Sequence, residues 1–369
     1  MNHSRNQPEE TSNIGIKGTL PAFSEQLKNR LTFTLSWTSG NFSNFEEWRE
    51  AARAKVWEHI LPLPEHRTPF NPETISQQDR GAFFARKIVF NLTEFSRVPA
   101  LMLIPKGRGP FPAVLLLHDH GSKFDIGKEK VIEPWDDRLK LESAQAWSKQ
   151  LYDGSFIGNE LAARGYCVLA HDALGWGERG VVSYETQQAL ACNLLNLGVS
   201  LAGLTAYEDV RSAEFLASLP EVDPARVAAA GLSMGAFRAW QVAALSDAVK
   251  AGVAVCWMTT LKGVVVPGNN ILRGQSAFYM THPGLARYLD YPDIAGLAAP
   301  KPMLFYNGGK DALFPLDSVQ EAYRKMRRIW GSGQADDRLE TKIWPDLGHE
   351  FNLEQQKEAF HWLDHWLKN

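Results

Sequence analysis

Residues 231–235 read Gly-Leu-Ser-Met-Gly, between the run RVAAAG and the helix-like stretch AFRAWQVAALS. A serine between two glycines at a strand-to-helix turn can be presented as a nucleophile, because a side chain at either glycine would meet the neighbouring elements. Ser233 would stand at a helix N-terminus, which favours developing negative charge. A serine hydroxyl attacks poorly at neutral pH and needs a base. Downstream, GGKDALFP supplies Asp311 and DLGHEF supplies His349. His349 is the expected base, and Asp311 would fix the imidazole tautomer and stabilise the imidazolium. Asp317 is a rival acid. Asp346 and Glu350 are others, but they adjoin His349 too closely in sequence to orient it from a separate strand end. A tetrahedral intermediate needs two donors for its oxyanion. The backbone N–H of Met234 is one; the other is expected from the HDHG stretch, His120 first and Asp119 next.

Such residues act only if a scaffold gathers them. AFFARKIVF and VPALMLIP read as two strands joined by a short turn. PAVLLLHDHG, YCVLAHDALG, RVAAAG, VKAGVAVCWM, KPMLFYNGG and LETKIWPDLGH follow, mostly as apolar runs of the kind buried on both faces. Helical patterns lie between them. The alternation predicts an α/β fold: about eight strands, mostly parallel, with helices on both faces and an antiparallel opening pair. Ligands of such sheets bind at the carboxyl ends of the strands, where Ser233, Asp311 and His349 fall. The expected division places an N-terminal arm and helical extension in residues 1–80 and a catalytic domain in 81–369. In the extension, Ser43 and Glu46 fit a capping box, and Phe45, Trp48, Ala52, Val56 and Ile60 share one helix face. Insertions near 122–154, 181–204 and 260–298 are expected to cover the site.

At these residues the chain resembles the α/β-hydrolase superfamily. LLLHDHG looks like its oxyanion loop, GLSMG its elbow, GKDALFP its acid turn and GHEF its histidine loop. The resemblance spans roughly residues 82–369 and is greatest to the dienelactone hydrolase-like and acetyl xylan esterase-like branches. Two departures stand out. Dienelactone hydrolase uses a cysteine where this chain has Ser233, which turns the expectation toward ester cleavage. Asp119 replaces the usual glycine of the oxyanion loop. The resemblance implies a serine hydrolase that cleaves short-acyl or carbohydrate-linked carboxylic esters through an acyl-enzyme. A serine peptidase or amidase, and a non-catalytic ligand-binding member, are the alternatives.

Other features bound this reading. Trp176, Trp257 and Arg179 are candidate substrate contacts, the arginine for an acidic substrate. GWGERG matches G-x-G-x-x-G, but HDAL separates it from its strand and no helix start follows, so no cofactor is expected. His118, His120 and His171 with Asp172 lack the further ligands of a hydrolase metal motif, so no metal is expected. A formal charge of −3 without a basic run gives no footprint for nucleic acid. The polar N-terminus and the lack of a run of about 18 apolar residues predict no membrane span. Three widely spaced cysteines give no disulfide framework. A cytoplasmic setting is the simpler expectation.

Overall fold

The computed structural model describes residues 14–60, 68–180, 182–268 and 275–368. Nine strands form one sheet: β1 Glu73–Asp79, β2 Phe83–Asn91, β3 Arg97–Pro105, β4 Phe111–Leu117, β5 Cys167–His171, β6 Val222–Leu232, β7 Ala251–Val255, β8 Met303–Gly308 and β9 Leu339–Trp344. Their spatial order is β9-β8-β7-β6-β4-β5-β3-β2-β1. The strands from β9 to β5 pair in parallel, with Leu115 opposite both Leu169 and Ala229. The first three strands join antiparallel.

Strand β4 shows why its sequence is a continuous apolar run. Leu115 and Leu117 enter the core on one sheet face, and Val114 and Leu116 enter the core on the other. Helices cover both faces, as period-2 strands buried on two sides require. The main ones are α1 Phe45–Trp57, α2 Arg138–Leu151, α3 Ile157–Ala163, α4 Tyr184–Asn196, α5 Leu201–Ala217, α6 Met234–Leu245, α7 Tyr291–Gly296, α8 Leu316–Ser332 and α9 Leu353–Lys368. No single helix among the described residues is long and apolar enough to cross a membrane.

The ninth strand was absent from the sequence expectation. β1 is ETISQQD, almost wholly exposed, and pairs only with β2. An edge strand needs no apolar run, and polar side chains keep its open edge from pairing further. The cap of α1 also differs. Asn44, not Ser43, is the N-cap, and its side chain accepts the N–H groups of Glu46 (2.9 Å) and Glu47 (3.2 Å). The expected helix face is otherwise present: Trp48, Ala52, Val56 and Ile60 are buried. They belong to the same core as α6, so the extension packs directly on the sheet domain. Ser36 Oγ–H donates to Asp293 at 2.7 Å, tying the extension to the 260–298 insertion.

Candidate active site

β6 and α6 meet at Ser233, whose backbone lies at φ 59°, ψ −123°. A non-glycine residue in this region is strained and persists only where the surroundings fix it. The Ser233 N–H donates to Val255 O at 2.8 Å, and its own carbonyl accepts from Ala236 and Phe237. The flanking glycines are required by close approach. A Cβ on Gly235 would lie 1.9 Å from Leu117 O, and one on Gly231 would lie 2.4 Å from the Gly235 carbonyl carbon. The serine is thereby lifted above the sheet at the first turn of α6.

Asp311 follows β8 and His349 follows β9. His349 Nδ1–H donates to Asp311 Oδ2 at 2.7 Å. Asp311 is buried, and its second oxygen accepts the Leu313 N–H at 2.9 Å. Phe314 stacks against the imidazole at 19° between planes. Nε2 of His349 has no hydrogen bond among the described residues, to Ser233 Oγ or to any other group. The rival acids lie elsewhere. Asp346 pairs with Lys310 on the surface, Glu350 accepts the Gly348 N–H, and Asp317 is exposed in the first turn of α8. A cleft of about 410 Å³ opens beside Asp311, bounded by Phe314, Leu316 and residues 266–268 of the third insertion.

The loop after β4 carries His118, Asp119 and His120, all buried. Neither the His120 N–H nor the Met234 N–H has an acceptor among the described residues. Asp119, the departure from glycine, turns its carboxylate inward. Its Oδ2 accepts from Tyr152 O–H (2.8 Å) and Trp147 Nε1–H (3.1 Å), both from the 122–154 insertion. Burial and the Lys130 charge hold the His120 ring at a pKa of about 4. It is therefore neutral near pH 7, and Nε2 meets Gln187 Oε1 of α4 at 3.1 Å.

The expected substrate contacts are differently employed. Arg179 is 7% exposed and forms a bidentate pair with Glu208 at 2.6 and 2.7 Å, so its charge is not open to an acidic ligand. Trp176 and Trp257 are buried; Trp176 packs on His118 and His120, and Trp257 on Phe237 and Phe314. They form the walls behind the site rather than an open surface.

The suggestive motifs also have structural employment. The GWGERG loop wraps the Asp172 carboxylate, which accepts from the Lys128 and Glu178 N–H groups and from Lys128 Nζ. A Cβ on Gly177 would lie 2.6 Å from Asp172 Oδ2. His118 donates to Asp119 O and accepts from the Ala173 N–H; His171 meets Asp209, which binds Arg238 of α6. Among the described residues, Cys256, Asp311 and His349 bring three potential ligand atoms within 4.8 Å of one another. Burial and the Asp311 charge push the Cys256 thiol up, so it is a neutral S–H donor here. Cys256 donates to the carbonyls of Gly348 and Glu350 and steadies the histidine loop.

Sequence reasoning missed Cys256, Gln187 and the stretch Lys128-Glu129-Lys130. The last reads as a solvated charge run, yet all three residues are buried. Only their partners in the fold reveal them.

A family profile described as "Abhydrolase family" matches residues 4–332. The chain belongs to this family. Among relatives of the abhydrolase, "Putative hydrolase YtaP" of Bacillus subtilis (strain 168) is 29% identical over 321 residues, covering 86% of this chain and all of that protein. Solved structures share the fold at lower identity. One titled "putative acetyl xylan esterase" from Bacteroides fragilis NCTC 9343 superposes with a TM-score of 0.67 at 18% identity, covering 88% of this chain and 81% of its own. A glucuronoyl esterase from Solibacter usitatus gives 0.62 at 13% identity, with coverages of 90% and 97%.

Proposed function

We propose that this abhydrolase is a serine esterase. Ser233 Oγ attacks the ester carbonyl while His349 Nε2 takes its proton. Asp311 holds the ring and stabilises the imidazolium. The N–H groups of Met234 and His120 receive the oxyanion. His349 then returns the proton to the leaving alcohol, and water completes the cycle on the acyl-enzyme. The strained Ser233 backbone carries this reading. Other non-glycine residues also have a positive φ, but at Ser233 the close approach of Gly231 and Gly235 to their neighbours fixes it at a strand-to-helix turn. The Asp311–His349 pair at neighbouring strand ends supports it.

All the groups in this scheme come from residues 81–369; of the described residues before them, α1 packs on the core beside α6 and β1 completes the edge of the sheet. Short-acyl or carbohydrate-linked esters are the proposed substrates, supported by structural neighbours described as an acetyl xylan esterase and a glucuronoyl esterase. Cys167, Cys192 and Cys256 are free thiols, which suits a reducing, cytoplasmic setting.

The test is hydrolysis of p-nitrophenyl acetate, butyrate and octanoate by the wild type and Ser233→Ala, followed by acetylated xylo-oligosaccharides and a glucuronate ester. Activity is expected to fall with acyl length and to drop at least about 10³-fold in the variant. Equal rates in both proteins would remove the nucleophile.

A further inference from the structure

A buried cation stands behind the loop after β4. Lys130, in the 122–154 insertion, is wholly buried. Its Nζ donates to the carbonyl oxygens of Asp119 (3.1 Å) and His120 (2.6 Å). The Asp119 carboxylate lies 3.6 Å away, and the faces of Trp147 and Trp176 lie 5.1 and 5.7 Å from the nitrogen. Both carbonyls also take a second donor. His118 Nδ1–H reaches Asp119 O at 2.8 Å, and Trp176 Nε1–H reaches His120 O at 3.2 Å. Burial lowers the Lys130 pKa from its ordinary value, and the two carbonyl acceptors, the Asp119 carboxylate and the two π-faces oppose that shift by favouring the ammonium form.

In a trans peptide the C=O and N–H point in opposite directions. Drawing the Asp119 carbonyl inward turns the His120 N–H outward, and drawing the His120 carbonyl inward does the same for the Gly121 N–H. A cation on a carbonyl oxygen also polarises its peptide group, and in a low-dielectric interior this strengthens the N–H as a donor.

We propose that Lys130 is a positioning residue of the oxyanion site, orienting and polarising the peptide groups of residues 119–121 toward a developing oxyanion. The inference rests on the serine-esterase reading above. Lys130 touches no reacting atom; it acts through the backbone it holds. This also accounts for Asp119 in place of glycine, since the carboxylate neutralises a charge that the loop requires.

A short-chain aryl trifluoromethyl ketone tests both layers. Ser233 adds to it as a hemiketal whose oxyanion titration is read by fluorine NMR, a signature that a purely structural lysine would not move. In Lys130→Met, kcat on p-nitrophenyl acetate should fall roughly 10-fold or more with KM within about twofold. The hemiketal pKa should rise by about one unit. Lys130→Arg, which keeps the charge, should restore most of both. A hemiketal that titrates identically in the wild type and Lys130→Met overturns the proposal. If Lys130→Met does not fold, Lys130→Gln and Lys130→Arg carry the same test: a higher value in the glutamine variant supports the inference, and equal values sink it. A wild type that forms no adduct, or a Ser233→Ala variant that forms it equally, fails the esterase reading itself and takes this inference with it.

Discussion

Two backbone oxygens and one vacant position decide how firmly the serine is held: Leu117 O, Val255 O and the place that a Cβ on Gly235 would take. The last lies 1.9 Å from Leu117 O, and the obstacle is backbone, so no rotamer change relieves it. Gly235→Ala should cost more than about 3 kcal/mol. Urea unfolding would show it as a large drop in midpoint, or the variant would fail to accumulate; an unchanged midpoint would contradict the close approach. Asp311→Asn keeps the shape beside His349 but removes the charge. It should lower kcat by roughly 10³- to 10⁴-fold while the melting temperature shifts little. A rate near that of the wild type would mean that His349 takes its orientation from another group.

The elements divide sharply by how readable they were. β4, β5, β7 and β8 announce themselves as apolar runs because both sheet faces are covered, and polar caps mark the starts of α1, α2, α4, α5 and α7. β1 leaves no such trace, since a strand with one neighbour and one open edge needs neither apolar content nor alternation. The acid and histidine turns were readable from their place after strands. The KEK stretch was not, because burial of a lysine depends on carboxylates and carbonyls distant in sequence. Burial disfavours the Lys128 charge, yet Asp172, Glu129 and Glu178 together raise its pKa. The cap of α1 shows the limit of spacing rules: Ser43 and Asn44 are both cap formers, and one residue of register decides between them. Asn44→Ala should therefore cost about 1 kcal/mol in chemical denaturation, and Ser43→Ala a few tenths. The reverse order would restore the capping box expected from the sequence.

Across the whole molecule, buried histidines link stability to pH. Burial, with the Arg238 charge, holds His118 well below its ordinary range. Burial, with Lys130, puts His120 at about 4, and burial, with His59, puts His282 at about 4. A depressed folded pKa contributes stability that is present above the unfolded value near 6.5 and is lost as pH falls toward 4. Each histidine should cost about 1.4 kcal/mol per pH unit across that window. Asp293 acts in the opposite sense: burial and Asp290 raise it to about 6, so its protonation below that point returns part of the loss. Urea midpoints should decline steeply from pH 7 to 4.5, and less so in His282→Gln; a flat profile would mean that these rings are solvated. The anchoring of Asp119 by Trp147 and Tyr152 has a different consequence, for anyone who would redesign substrate range. The 122–154 segment looks like a cover to be trimmed or exchanged, but a graft there would also rebuild the loop that faces Ser233. The outer face of α4, where among its own residues only Gln187 and Ala191 are buried, is the place where a library can vary widely and leave the reaction centre as it stands.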